Sequence, residues 1–283
     1  MTRTLRARRA KPRVFTYVMM VVLTIITIYP VVWMLGGSIK PADEIFSNPS
    51  PFTASPTLQN YVDGWAGAGV PFSVFLINSG IVAGLAVVGN VIACTLTAYG
   101  FARFDFRGKN VLFALVLLTV MLPKHVRLIS EYIGFANIGL IDTFVPLILP
   151  HFLAIDGFFI FLLVQFIRGL PPELEEAARV DGCTEFGVFW RVVVPLLTPA
   201  LVTTAILTFV QVYQDFFSQL IYLNSPENYT VPLGLRQFID STSSSAWGPV
   251  LAMSSVALVP VVVLFLIFQR RIIDGIATTG LKG

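Results

Sequence analysis

Charge is scarce in this sequence. Asp, Glu, Lys and Arg make up 12% of its 283 residues, about half of the roughly 25% usual in soluble domains. So few ionised groups cannot cover a globular surface, which excludes an ordinary soluble fold. Neither sign dominates. The net charge is +3, so the basic surplus that nucleic acid demands is missing and no nucleic-acid partner is expected. The two cysteines, Cys94 and Cys183, lie in unlike surroundings and do not build a disulfide framework. The two histidines, His125 and His151, are not spaced with Cys or carboxylates as a metal site requires. A phosphate-binding loop, G-x-x-x-x-G-K-[ST], is absent. Its nearest approach, Gly108-Lys109, has Arg103 where the first glycine belongs and Asn110 where Ser or Thr belongs. ATP is therefore not expected to bind this chain in the usual manner. No Ser/His/Asp set sits at nucleophile-elbow spacing, so catalysis by this chain alone is not expected.

What the sequence has in abundance is apolar length. Hydrophobic residues are 55% of the chain, with 24 phenylalanines and a mean hydropathy of +0.79. Lipid is the solvent this composition suits. A membrane helix needs about 20 apolar residues to cross roughly 30 Å of hydrocarbon, because backbone groups cannot face lipid unpaired. Six runs qualify as expected spans: Val14–Leu35, Leu76–Phe101, one beginning at Asn110, Thr143–Ile167 with Asp156 inside, about Pro195–Leu223 with Asp215 inside, and Pro249–Phe268. The third is short, since only Asn110–Pro123 is free of charge before Lys124, His125 and Arg127. It still counts if those charges snorkel to the interface. The first follows a basic tail and is too long for the roughly 7–15-residue core of a cleaved signal, so it reads as a retained span.

Basic residues test that count. With six spans and both termini in the cytoplasm, fifteen of the 19 Lys and Arg face inward, and only Lys40, Lys124, Arg127 and Arg236 face outward. That bias fits the positive-inside rule. The expected layout is a cytoplasmic tail at 1–13, a first span at 14–36, an external loop at 37–72, a five-helix core at 73–268 and a cytoplasmic tail at 269–283.

One cytoplasmic loop, 169–195, stands apart. It holds Glu173, Glu175, Glu176, Asp181 and Glu185 against Arg179 and Arg191. Pro171 and Pro172 can open a helix, acids in its first turn suit the helix dipole, and Ala177-Ala178 offers a small face that another protein can approach. Gly182 should stop that helix in a left-handed conformation, and Thr184 should cap a second. A helix lying on lipid would carry Lys and Arg on its polar face. This acidic pair suits a protein partner better.

Glu176-Ala177-Ala178, then three residues, Gly182, nine residues and Val192-Val193-Val194-Pro195 resembles the EAA loop of ABC-importer permease subunits. The family pattern ends in Ile-x-Leu-Pro; Val192 and Val194 stand in for its aliphatics. PVVWMLGGSIKP at Pro30–Pro41, Asn60-Tyr61, GLPPELEEAARVDG at Gly169–Gly182, YTVPLGL at Tyr229–Leu235 and the tail Arg271–Gly283 are similar to the carbohydrate-importer branch. The resemblance covers essentially the whole chain. It implies an all-α integral membrane protein of six transmembrane helices, a type I permease fold with a cytoplasmic coupling helix. It also implies a second permease subunit, two cytoplasmic ATPase subunits that hold ATP and Mg, an extracytoplasmic solute-binding protein, and a place in the cell inner membrane. Glu175, Glu176, Ala177, Ala178, Asp181, Gly182 and Pro195 become the expected ATPase-docking set. The solute expected is a sugar or a sugar- or polyol-phosphate-like molecule.

Ionisable groups within spans usually face a water path or a partner helix. Asp215, beside Gln214 and Tyr213, offers the acceptor, amide and ring that a sugar needs; the alternative is that it fixes helix packing or caps an internal break. Asp156 fits a hydrogen bond to a neighbouring helix better than solute contact, and Gly157 beside it allows a close helix approach. Gly80 and Gly84 fit packing within the chain. The competing reading is a secondary transporter or channel that uses Asp156 and Asp215. It leaves the EAA spacing unexplained.

Overall fold

The structure, a computed structural model, describes residues 14–240 and 246–280. The basic tail at 1–13 and residues 281–283, including Lys282, lie outside the described residues. All regular structure among the described residues is helical. In chain order the helices are α1 (Val14–Gly37), α2 (Glu44–Ser47), α3 (Gln59–Ala66), α4 (Phe72–Arg103), α5 (Lys109–Met121), α6 (Lys124–Asn137), α7 (Val145–Phe152) and α8 (Gly157–Arg168). There follow α9 (Glu173–Val180), α10 (Glu185–Val188), a π-helical turn at Phe189–Val193, α11 (Val194–Leu196), α12 (Thr198–Tyr213), α13 (Phe216–Tyr222), α14 (Val231–Asp240) and α15 (Trp247–Gly280).

Four of these stretches are long and apolar enough to cross a membrane: Val14–Gly37, Phe72–Arg103, Val145–Arg168 and Trp247–Gln269. Two bent pairs bring the number to six if each is one span. Lys109–Met121 and Lys124–Asn137 meet at 102°, and Glu185–Leu196 and Thr198–Tyr213 meet at 74°. Proline explains the first bend. Leu122 precedes Pro123 and adopts φ −78°, ψ 122°, the extended conformation forced on a residue before proline.

α4 is the axis of the bundle. Its N-terminal half packs into one core with Leu147, Val212, Tyr222 and Met253. Its C-terminal half packs into a second core with Phe159, Leu163, Ile167, Phe189 and Leu197. The first core marks the end of the bundle where α4 begins; the second marks the end that carries α9. Gly157 is where α8 meets α5. A Cβ there would lie 2.5 Å from the Val116 carbonyl oxygen, so the close approach expected at Gly157 exists. Asn90 Nδ2 donates to Thr208 Oγ1 at 2.7 Å and ties α4 to α12.

Two expectations change. Gly80 and Gly84 do not pack within the chain: a Cβ at either would meet nothing within 4 Å. They lie on the exposed face of α4 with Ile77, Ile81, Leu85 and Val88. The loop after α1, expected only as an external loop, has a buried core of its own. Ile45 is 1% exposed and Lys40 is fully buried. The Lys40 ammonium donates to the carbonyls of Asn48 and Ser50, and Asn60 Nδ2 donates to those of Ser38 and Lys40. α1 itself buries only Gly37. Its apolar sides are left to a lipid-like environment.

Candidate functional site

The segment after α8 folds as two short helices around a glycine stop. Pro172 stands at the N-cap of α9, with Glu173, Glu175 and Glu176 in the first turn. Gly182 has φ +86°. The amide of Gly182 donates to the Arg179 carbonyl at 3.0 Å and that of Cys183 to the Ala178 carbonyl at 2.9 Å. These two bonds form the Schellman pattern that left-handed glycine permits. Thr184 Oγ1 then accepts the Gly187 amide at 3.2 Å and caps α10.

α9 turns one side to the bundle and leaves the other open. Glu176, Ala177, Asp181 and Gly182 are exposed, as are Val180 and Phe186, while Ala178 is half-buried. Pro195 is exposed in α11, where the chain turns back into the bundle. Glu175 differs from its neighbours. Its side chain turns inward and accepts Arg103 Nε at 2.5 Å and the Tyr99 hydroxyl at 3.4 Å. It is therefore not on the surface with the rest of the expected docking set. Arg179 makes a two-pronged bond to Glu185 at 2.7 and 3.1 Å, and that bond holds the Glu185 carboxyl below its ordinary range.

The second site is a charged cleft of about 110 Å³ between α4, α6, α7, α12 and α13. It brings Asp156 and Asp215 together with Lys124, Arg127, Glu131 and His151. Asp215 sits at a break, between the end of α12 and the start of α13. Its Oδ1 accepts the Ser218 amide at 3.1 Å and its Oδ2 accepts Lys124 Nζ at 2.6 Å. The capping role foreseen for Asp215 is thus present, combined with an ion pair. Asp156 also lies at a break, where α7 gives way to α8, and pairs with His151 Nδ1 at 3.2 Å. Tyr213 and Gln214 do not line the cleft. The Tyr213 hydroxyl donates to the Ala257 carbonyl at 3.0 Å, and its ring stacks on Phe209. Gln214 is exposed elsewhere.

Sequence reading missed the basic and aromatic half of this cleft. Lys124 and Arg127 stood only as charges beyond a short span, and Tyr222 stood as one more apolar residue. A signal existed: Lys124, Arg127 and Glu131 recur at three- and four-residue spacing and so share one face of α6. Two polar atoms on its walls, Arg127 Nε and the Tyr222 hydroxyl, are buried without a partner. A wall of carboxylates, a guanidinium and a phenol can accept from and donate to a polyhydroxylated solute. Among the described residues, no group of three His, Cys, Asp or Glu could hold a metal.

Comparison with known proteins places this geometry in context. The family described as binding-protein-dependent transport system inner membrane component matches residues 89–277. A probable ABC transporter permease protein of Bacillus subtilis, YurM, is 36% identical over 90% of this chain and 84% of its own. The arabinooligosaccharides transport system permease protein AraQ of the same organism is 32% identical over 92% of each chain. The diacetylchitobiose uptake system permease protein DasC of Streptomyces coelicolor is 32% identical over 96% of this chain and 98% of its own. A crystal structure of a bacterial ABC transporter involved in the import of the acidic polysaccharide alginate superposes with a TM-score of 0.79. It covers 91% of this chain and 95% of its own at 20% identity, a likeness that speaks to the fold.

Proposed function

The chain belongs to the binding-protein-dependent transport system inner membrane components, and on that premise we propose that it is one of two permease subunits of an ATP-binding-cassette importer for a sugar. The observation that carries this reading is α9. It is an acidic helix with one side left open by the bundle, stopped at Gly182, with Glu176, Ala177 and Val180 open to a partner. Two cytoplasmic ATPase subunits, which hold ATP and Mg, are the partners it fits, with Glu176 set against a basic residue. Fifteen inward-facing basic residues support a cytoplasmic position for α9 and both termini. The second permease subunit is assigned to the open face of α4. There Gly80 and Gly84 leave space, and Gly84, Val88, Ile206 and Phe268 flank an apolar groove of about 800 Å³. An extracytoplasmic binding protein delivers solute to the loops at the opposite end.

In this mechanism ATP closes the ATPase pair and draws α9 with it. The packed helices follow as rigid bodies, and the solute path changes the side to which it opens. ATP supplies the differential stabilisation of one state. The cleft holding Asp156 and Asp215 lies on that path, and sugar permeases among the relatives support a saccharide as its occupant. An ion-driven carrier has less support, because both acids are already engaged, one by His151 and one by Lys124. Glu176→Ala is expected to insert normally in the membrane, to lose co-purifying ATPase and to abolish ATP-driven uptake in vesicles. Normal uptake in that variant would end the reading.

A further inference from the structure

Of the eight residues in α9 only Glu175 is buried, at 3% exposure. A helix seated by one residue is usually seated by an apolar one, because a buried carboxylate is costly unless it is paired. Here the carboxylate is met from several sides. Arg103 Nε donates to it at 2.5 Å, the Tyr99 hydroxyl donates at 3.4 Å, and Arg179 stands 3.7 Å away. Arg103 is the last residue of α4, and its Nη2 also donates to the Leu170 carbonyl at 3.2 Å, where the chain enters the segment. One guanidinium therefore grips both the approach to α9 and α9 itself, across 72 residues of sequence.

The covalent route out of α9 is indirect. It passes through Gly182 in its left-handed conformation and through the π-helical turn at Phe189–Val193. An apolar seat would allow sliding, since hydrophobic attraction has no direction. A guanidinium fork fixes an orientation.

Resting on the reading that α9 docks on an ATPase, we infer that Glu175 is not part of the docking surface. It is a positioning residue, and with Arg103 it forms the joint that delivers displacement of α9 directly to α4. Glu176 receives the force and Glu175 passes it on, and their one-residue offset on a helix turns them to different sides.

The test uses the assembled importer, with its paired permease and ATPases, in lipid nanodiscs. Cys94 and Cys183 are replaced by serine. Spin labels go on Asp105→Cys, just beyond α4 and 99% exposed in its side chain, and on Leu174→Cys, exposed on α9. The otherwise wild-type chain should give one narrow interspin distance, the same without nucleotide and with vanadate-trapped nucleotide. Glu175→Gln should broaden that distance and make it differ between the two states, while the ATPases still co-purify and hydrolyse ATP. The exchanged pair, Arg103→Glu with Glu175→Arg, should restore the narrow distance. If Glu175→Gln does not accumulate, Arg103→Lys is read instead. It keeps the charge, loses the bond to Leu170 and should broaden the distance. An unchanged narrow distance in whichever of these two variants is read overturns the joint. Loss of the ATPases from Glu175→Gln overturns it also, by returning Glu175 to the docking surface. A wild-type chain that retains no ATPase removes the permease reading, and the joint with it.

Discussion

Where α4 begins, many of the polar side chains hold backbone; where α4 ends, they mostly hold one another. At the first end Asn78 Nδ2 donates to the carbonyls of Glu227 and Tyr229, Ser79 Oγ accepts the Val231 amide, and Asp142 accepts the amides of Asn224 and Ser225. At the second end Arg103, Glu175, Arg179 and Glu185 form a chain of side-chain ion pairs. Side chains bonded to main chain pin irregular loops in one place, because the backbone groups they satisfy have no other partner. Side chains bonded to each other fasten one preformed helix to another and leave each backbone complete. The first plan makes a fixed platform, and the second makes a lever with a joint.

The largest expected effect comes from breaking the joint on its basic side. Arg103→Leu leaves the buried Glu175 carboxylate with only the Tyr99 hydroxyl, at 3.4 Å, and Arg179, at 3.7 Å, near it. Removing one member of a buried pair is strongly destabilising, and about 3 kcal/mol is expected here, read as a lower melting temperature of the chain in detergent. Hydrogen exchange should rise in α9 and not in residues 223–230. Equal loss at both ends would mean that the two plans are not separable.

Asn78→Leu is the counterpart at the other end. It strips two carbonyls of their donor at a position only 8% exposed, at a cost of about 2 kcal/mol. Exchange should rise at 227–230, with the α9 segment unchanged. ATPase retention is expected to survive Asn78→Leu, because the platform lies far from the lever.

How much of this contrast could be read from the sequence depends on what each residue asks of its neighbours. Gly182 and Thr184 were legible because a helix stop and a cap are local events, decided within four residues. The EAA spacing was legible for the same reason. Glu175 and Glu176 were not separable, since adjacent acids look alike until the position of α4 decides which one is covered. Lys40 counted as an external charge because no signal in a sequence marks an ammonium that distant carbonyls will enclose. Tyr213 and Gln214 seemed to belong with Asp215 while the span was read as one helix. The break after Tyr213 re-aims Asp215 toward Lys124 and leaves its two neighbours behind. The cleft is a product of such breaks, at Asp156 and at Asp215, and helical periodicity cannot foresee where periodicity stops.

Acid should separate the two ends next, by a smaller effect. Burial raises the Asp142 pKa. The bonds it accepts from the Ser225 hydroxyl, from the amides of Ser225 and Asn224, and from the Asn228 side chain outweigh that and hold it down to about 2, against 3.8 for a free side chain. A depressed carboxylate stabilises the fold above its unfolded pKa, and that contribution fades as pH falls through the folded value. The clamp at 223–228 is therefore expected to hold above about pH 4 and to release between about pH 4 and pH 2, seen as rising hydrogen exchange in that loop. Asp142→Asn should show weakened protection at every pH and no transition in that window. A transition that persists in the variant would assign it to another group.

The smallest effect tests whether the chain of ion pairs at the α9 end is one unit or a joint with an ornament. Glu185 touches only Arg179 in that chain and is open to water. An exposed pair gains little, because solvent and salt screen it and two side chains must be held still. Glu185→Gln is therefore expected to leave the melting temperature and the Asp105–Leu174 distance unchanged at physiological salt. Arg179 also stands near Glu175, so a chain acting as one unit would transmit the loss inward and loosen α9. Broadened distances in Glu185→Gln would move the joint outward, from one buried pair to the whole acidic segment. An unchanged distance confines it to Arg103 and Glu175, the two members of the chain least open to water.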